Sequence, residues 1–307
     1  MSTAFISHPT CLRHDQGRGH PESAARLHAI EDQLLASGVL DHLQRHTAPA
    51  ATREQLLRVH SEAQLRWIES QSPSVGVVNL GDDIVLNAWS LEAAQHAAGA
   101  VVQAVDLVMS GEADNAFCSV RPPGHHASRD HSSGFCIFNN IAVGAAHALM
   151  AYGLERVAIC DFDVHHGNGT EAIFHDDPRV LLCSSFQHPF YPFSGADTGN
   201  AHIVPTPLAA YSGNEAMRHA VEAVWLPALR AFQPQILFIS AGFDAHRDDD
   251  MAMLGWTDAD YAWITTQLKA AADKLCGGRI VSALEGGYAL DALGRSATAH
   301  VRVLAGI

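Results

Sequence analysis

Positive charge is scarce in this chain: 19 Lys and Arg stand against 33 Asp and Glu, a formal net charge of −14. A nucleic-acid surface needs clustered cations to neutralise phosphates, so that partner class is excluded, while cationic substrates remain compatible. No run of about 18 apolar residues occurs. The first fifteen residues carry His8, Pro9, Arg13, His14 and Asp15 where a signal peptide would have an apolar core. No membrane partner is expected, and the protein is expected in the cytoplasm. The six cysteines, at 11, 118, 136, 160, 183 and 276, make no Cys-x-x-Cys pair, and most lie in or beside apolar runs, so they read as reduced core residues. Gly-x-Ser-x-Gly and Gly-x-Gly-x-x-Gly are both missing, which removes serine hydrolysis and dinucleotide binding. Gly167-Asn-Gly169 is too short for a phosphate cradle and stands among acids that phosphate would avoid. Repeats of 20 to 50 residues, low-complexity tracts and linkers are absent too.

What remains is a chain of 307 residues, 48% hydrophobic and 17% charged, able to bury a large core and expected to form one domain over 1–307. Its 20 histidines outnumber all Lys and Arg together, and several cluster with Asp, which makes imidazole chemistry the first suspicion. Short apolar runs at 116–120, 157–160, 180–184, 236–240 and 280–284 read as buried parallel strands. Helical patterns at 21–36, 90–110, 139–152, 214–232, 258–275 and 291–304 lie between or around them, and Thr52 with Gln55 marks a further helix start. This alternation predicts an α/β fold, a parallel sheet covered on both faces, with ligands beyond the carboxyl ends of the strands.

Four predicted strand ends deliver polar groups to one rim. They are Arg121-Pro-Pro-Gly-His125-His126, Asp161-Phe-Asp163-Val-His165-His166-Gly-Asn168-Gly169, Ala-Gly-Phe-Asp244-Ala-His246 and Glu285-Gly-Gly-Tyr288. Asp163 and His165, two apart on an extended segment, leave the same face and can converge on a metal, with Asp244 completing the set from another strand. One imidazole and two carboxylates leave a coordination position of Zn²⁺ open, as in catalytic sites. Burying these acids unpaired behind an apolar strand would be very costly, which also favours a cation. Asp244-x-His246-x-Asp248 is a second Asp-x-His and could hold a second ion, as in binuclear hydrolases; spacing alone leaves both arrangements open. His125 and His126 are candidates for proton transfer. Tyr288 could aim a phenol at a developing oxyanion.

Together, Arg121 to Ala127, Gly134-Phe-Cys136, Asp161 to Gly169, Ser240 to Ala245 and Leu284 to Tyr288 resemble the zinc-dependent histone deacetylase family, in its class II and bacterial amidohydrolase-like branch. His20-Pro-Glu22 with Arg26, and Ser90-Leu-Glu-Ala-Ala94, extend the likeness from about residue 8 to the end of the chain. The resemblance implies an arginase-like α/β domain with a central parallel sheet of about eight strands and helices on both faces. It implies one zinc at Asp163, His165 and Asp244, with His246 outside the ligand set. It makes His126 the group that activates water and protonates the leaving amine, and His125 its electrostatic partner. Asp161 would orient His125 and Asn168 would orient His126; class I members carry Asp at the Asn168 position, so the relay should be weaker here. Tyr288 would polarise the substrate carbonyl, and because some poorly active members have His there, Tyr points to a competent deacetylase.

By the same resemblance Phe135 and Tyr191 wall an acyl-lysine tunnel, Gly134, Gly286 and Met251 add to it, and Asp83 or Asp82 grips the substrate backbone. Arg26 would lie on an exit path for acetate, and a structural potassium ion would sit at Asp161, Asp163, His165 and Ser184. Two departures, Tyr191-Pro-Phe-Ser-Gly195 and Asp248-Asp-Asp250, alter the expected rim. The implied reaction removes acetyl, or other acyl groups, from lysine side chains in peptides. An acetylpolyamine amidohydrolase acting on small acetylated amines shares these motifs. A binuclear Mn²⁺ ureohydrolase would need Asp244-x-His246-x-Asp248 as ligands, and a non-catalytic acyl-lysine binder would have lost the tyrosine or a ligand. A homo-oligomer is compatible with all of these.

Overall fold

Ten strands and ten α-helices follow one another in a computed structural model that describes residues 2–198 and 200–307. The strands are β1 (Thr3–Ser7), β2 (Leu43–Thr47), β3 (Val77–Gly81), β4 (Ile84–Asn87), β5 (Asn115–Cys118), β6 (Val157–Asp161), β7 (Val180–Gln187), β8 (Ile203–Leu208), β9 (Leu237–Ala241) and β10 (Ile280–Leu284). The helices are α1 (Ala25–Ala36), α2 (Arg53–Leu57), α3 (Glu62–Gln71), α4 (Ser90–Ser110), α5 (Asn140–Ala151), α6 (Asn168–Phe174), α7 (Asn214–His219), α8 (Leu226–Phe232), α9 (Asp258–Leu275) and α10 (Leu290–Ala305). Eight strands form one sheet in the order β2-β1-β5-β10-β9-β6-β7-β8, every pair parallel. The expected single α/β domain with a parallel sheet of about eight strands is therefore what the chain forms.

Residues of β5, β6, β7, β9 and β10 are buried throughout, which is why these strands read as uninterrupted apolar runs. The register shows that both faces are covered. Phe117 pairs with Ser282, and His300 of α10 reaches both, its Nε2 lying 2.9 Å from Ser282 Oγ and its ring 5.6 Å from that of Phe117. On the other face Val281 pairs with Phe238, and a Cβ on Gly144 of α5 would press against Phe238 and against Val101 of α4. All six cysteines are free and buried, as expected.

Several boundaries differ from expectation. The first helix begins at Ala25 rather than residue 21, because the Glu22 carbonyl and carboxylate are both turned inward to accept from Arg121, which a helical turn would not allow. Strand β5 ends at Cys118, two residues early, and the chain leaves the sheet to reach Arg121. The pattern at 214–232 is not one helix: α7 and α8 flank a π-helical segment, Ala220–Trp225, just ahead of Pro227, which has no N–H to continue the ladder. Outside the large sheet, β3 and β4 form a hairpin whose two-residue turn, Asp82-Asp83, has φ of 47° and 59°, the left-handed region that matches hairpin twist. No helix among the described residues is long and apolar enough to cross a membrane.

The fully buried His300 links α9 to the sheet, with Nδ1 2.7 Å from Thr265 Oγ1. Burial lowers its pKa from 6.5 to about 3. The folded ring is thus neutral where an unfolded one would bind a proton, so its contribution is whole above pH 6.5 and lost as pH falls towards 3, at roughly 1.4 kcal/mol per pH unit. Denaturant unfolding of His300→Asn between pH 6 and 4 should fall with pH less steeply than that of the parent, by close to one proton. Equal slopes would show that the ring is not held neutral.

Candidate active site

The four polar loops leave β5, β10, β9 and β6, which are neighbours at the middle of the sheet where the strand order doubles back, the place at which open α/β sheets form crevices. Asp161 closes β6, and its Oδ1 accepts the N–H of Asp163 at 3.1 Å, turning the chain so that Asp163 and His165 face inward. Asp163 Oδ1 accepts the His165 N–H at 2.9 Å, and Oδ2 accepts the Gly286 N–H at 2.8 Å. Asp244 follows β9 and its Oδ1 accepts the Val164 N–H at 2.9 Å. His165 Nδ1 then lies 3.1 Å from Asp163 Oδ1 and 3.3 Å from Asp244 Oδ2.

These three buried side chains could hold a metal ion: one donor atom from each lies within 4.8 Å of the others. Two further observations fit a cation. Asp244 Oδ2 is buried yet makes no hydrogen bond, and a Cβ on Gly286 would run into the carboxylates of Asp163 and Asp244, so the glycine keeps their space open. Without a metal, burial opposes charge on His165, but the two carboxylates outweigh it and raise its pKa to about 10. Asp244 is raised to about 6, first by burial and then by the charge of Asp163. The alternative binuclear set is not brought together. His246 Nε2 faces Asp258 Oδ1 at 3.3 Å and its Nδ1 accepts the Asp248 N–H at 3.1 Å, away from Asp244.

The adjacent histidines occupy opposite electrostatic environments. His125 Nδ1 lies 2.9 Å from Asp161 Oδ2, and although burial disfavours its charge, Asp161 and Asp163 hold its pKa well above the ordinary value. His126 Nδ1 lies 2.7 Å from Asn168 Oδ1, a neutral acceptor. Burial, then the nearby charges of His125 and His165, push its pKa well below the ordinary value. Since Asn168 Oδ1 can only accept, Nδ1 of His126 carries the hydrogen and Nε2 keeps its lone pair.

A pocket of about 210 Å³ opens above this floor, lined by Asp83, Pro123, His125, His126, Gly134, Phe135, His165, Phe190, Tyr191, Met251, Gly286 and Tyr288. Every substrate-binding position expected from sequence is among them, and of the two rim acids only Asp83 is. Asp82 instead faces His131 at 2.8 Å and accepts the Gly134 N–H on its carbonyl at 3.1 Å. Tyr191 sits edge-on to His126 with ring centroids 5.1 Å apart. The Tyr288 ring lies 5.9 Å from that of Phe135 and 4.8 Å from the Arg26 guanidinium, and burial holds its phenol well above the ordinary pKa. Arg26 also donates from Nε to the Gly287 carbonyl at 2.6 Å and to the Glu285 carbonyl. Ser184 pairs with Asp161 across β6 and β7, and its hydroxyl lies 3.0 Å from His166 Nδ1.

Sequence reasoning missed Phe190, which stacks on His165 at 5.8 Å, because it stands beside an equally plausible tyrosine. It also gave no role to Glu285 or Glu22. The Glu285 carboxylate accepts the N–H groups of Gly124 at 2.7 Å and His125 at 3.1 Å and the Ser240 hydroxyl at 3.2 Å, tying the β10 loop to the histidine loop and to strand β9. Burial raises its pKa to about 7. Glu22 accepts two bonds from Arg121, at 2.5 and 2.7 Å, and one from Arg26 at 3.2 Å. A Glu directly after an apolar strand run was the available signal for Glu285.

Comparison with known proteins places the fold and the sequence in one family. A family model described as "Histone deacetylase domain" matches residues 20–304. A "Probable deacetylase" from Archaeoglobus fulgidus is 36% identical over 299 residues, covering 95% of this chain and 82% of that protein. A "Histone deacetylase-like amidohydrolase" from Pseudomonas aeruginosa is 37% identical over 310 residues, covering 93% and 81%. The crystal structure of the HDA15 HD domain matches with a TM-score of 0.93 and 36% identity over 99% of this chain and 88% of that one. With the fold, the ordered strand-end loops and these relatives in agreement, the chain belongs to the histone deacetylase family of hydrolases.

Proposed function

We propose that the protein is a zinc-dependent deacetylase that removes acetyl, or other acyl, groups from lysine side chains. The observation that carries this reading is that His165 of the Asp163, His165 and Asp244 group lines the same pocket as His126, Tyr288, Phe135 and Tyr191. Zn²⁺ suits two carboxylates and an imidazole, and when bound it supplies Lewis acidity to an acyl carbonyl and to water. His126, neutral and with Nε2 free, accepts the proton of the attacking water and returns it to the lysine nitrogen as the C–N bond breaks. His125, held charged by Asp161, keeps its neighbour neutral. Tyr288 donates its O–H to the oxygen on which negative charge develops. Asp83 at the mouth accepts N–H groups of a peptide substrate, and Arg26 borders the route by which acetate leaves. A structural K⁺ at Asp161, Ser184 and the carbonyls of Asp163 and His165 belongs to the same proposal.

Elemental analysis of the purified protein should find one tightly bound zinc per chain, and Asp163→Ala should lose both metal and turnover; full activity in that variant would refute the ligand set. Tyr288→Phe, compared at equal metal content, should lower kcat by about 10² to 10³ while the fold is retained. More than half the activity remaining would remove the phenol from the mechanism. An acetyl-lysine peptide should show a higher kcat/KM than N-acetylputrescine, since only the peptide offers backbone N–H groups to Asp83. The reverse preference would make the protein an acetylpolyamine amidohydrolase.

A further inference from the structure

The run Asp248-Asp-Asp250 departs from the family pattern at the rim, yet its middle residue is not on the rim at all. Asp249 is buried at 4% exposure, and its Oδ2 accepts the N–H of Tyr288 at 2.6 Å and of Ala289 at 2.9 Å. Its Oδ1 accepts the Met251 N–H at 3.0 Å. Among the described residues no Lys, Arg or His lies within salt-bridge distance of it. The cost of burying this charge is therefore offset by three backbone amides and by the amino-terminal end of the sixteen-residue helix α10, which begins at Leu290.

The peptide unit joining Gly287 to Tyr288 is held at both ends. Its carbonyl accepts from Arg26 Nε at 2.6 Å and its N–H donates to Asp249, so a buried cation and a buried anion fix the plane from which the Tyr288 side chain departs. The fixing matters because Gly287 has φ of 118°, a conformation that residues with a side chain rarely adopt, so the backbone here is set by its two anchors rather than by local preference. Through Met251 the same carboxylate holds a wall of the pocket in register with the phenol.

We propose that Asp249 is a positioning residue for the reaction, setting where the Tyr288 hydroxyl meets the developing oxyanion. This rests on the role given to Tyr288 above. An oxyanion donor acts through its placement, and a displacement of about 1 Å costs up to about 10²-fold in rate. Asp249→Asn leaves one good acceptor for three N–H groups, so it should lower kcat for an acetyl-lysine peptide by about 10- to 100-fold at unchanged metal content and with KM within about 3-fold.

The decisive measurement is a double-mutant cycle with Tyr288→Phe, read as kcat. Once the phenol is gone, Asp249→Asn should lower kcat by less than about 2-fold further, because residues acting through one group are not additive. If Tyr288→Phe alone leaves kcat unchanged, the functional reading fails. If Tyr288→Phe lowers kcat but Asp249→Asn does not, or if the two effects multiply, the functional reading stands and the inference about Asp249 is overturned. Should Asp249→Asn not fold, Asp249→Glu carries the same cycle, since it keeps the charge and displaces the acceptors by one methylene.

Discussion

Carboxylates shut away from water govern the arrangement of this molecule. Glu22, Asp161, Asp163, Asp244, Asp249 and Glu285 are all buried within a few loops of one another, and each would be very costly if left unmatched. Each is matched differently. Glu22 takes two guanidinium groups, Asp161 an imidazolium, and Asp249 and Glu285 backbone amides from distant loops. Asp163 and Asp244 both face His165, Asp163 lying also 3.8 Å from His125 Nε2, and Asp244 Oδ2 is left without a hydrogen bond. The group that could hold a metal ion is the place where this general solution is left incomplete.

The matching also explains how a site built of irregular loops is held together. Loops from β5, β6, β9 and β10 have no ladder to hold them beyond the sheet, and Asp163, Asp244, Asp249 and Glu285 substitute for one by collecting N–H groups from a different loop. Glu285 joins the β10 loop to the histidine loop and to β9, while Asp163 joins the β6 loop to Gly286. The side chains proposed as catalytic stand on backbone that is hydrogen-bonded across the crevice, which is the preorganisation that oxyanion donors and general bases require.

The parts legible in sequence share a physical reason. A strand buried on both faces is mostly apolar, so the change to His, Asp and Gly marks the point where the chain leaves the sheet, and the candidate ligand and acid-base positions follow it. The elements that went unread lacked that contrast. Strand β2 is a partly exposed edge with the polar sequence Leu-Gln-Arg-His-Thr, and β8, the opposite edge, contains Pro205 and Pro207, which an edge strand tolerates because only one side must pair. The hairpin turn uses two aspartates at positive φ where glycine or asparagine would have announced it. Asp249 was opaque for another reason: its partners are main-chain amides, which every residue has and no motif records.

If the account is right, the unmatched charge at Asp163 and Asp244 is completed by a single divalent cation. Titrating the metal-stripped protein with Zn²⁺ in a calorimeter, and following its unfolding temperature over the same additions, tests this directly. Binding should saturate at one ion per chain, with unfolding moving upward until that ratio and no further. Saturation at two ions per chain, or binding that leaves the unfolding temperature unchanged, would contradict it.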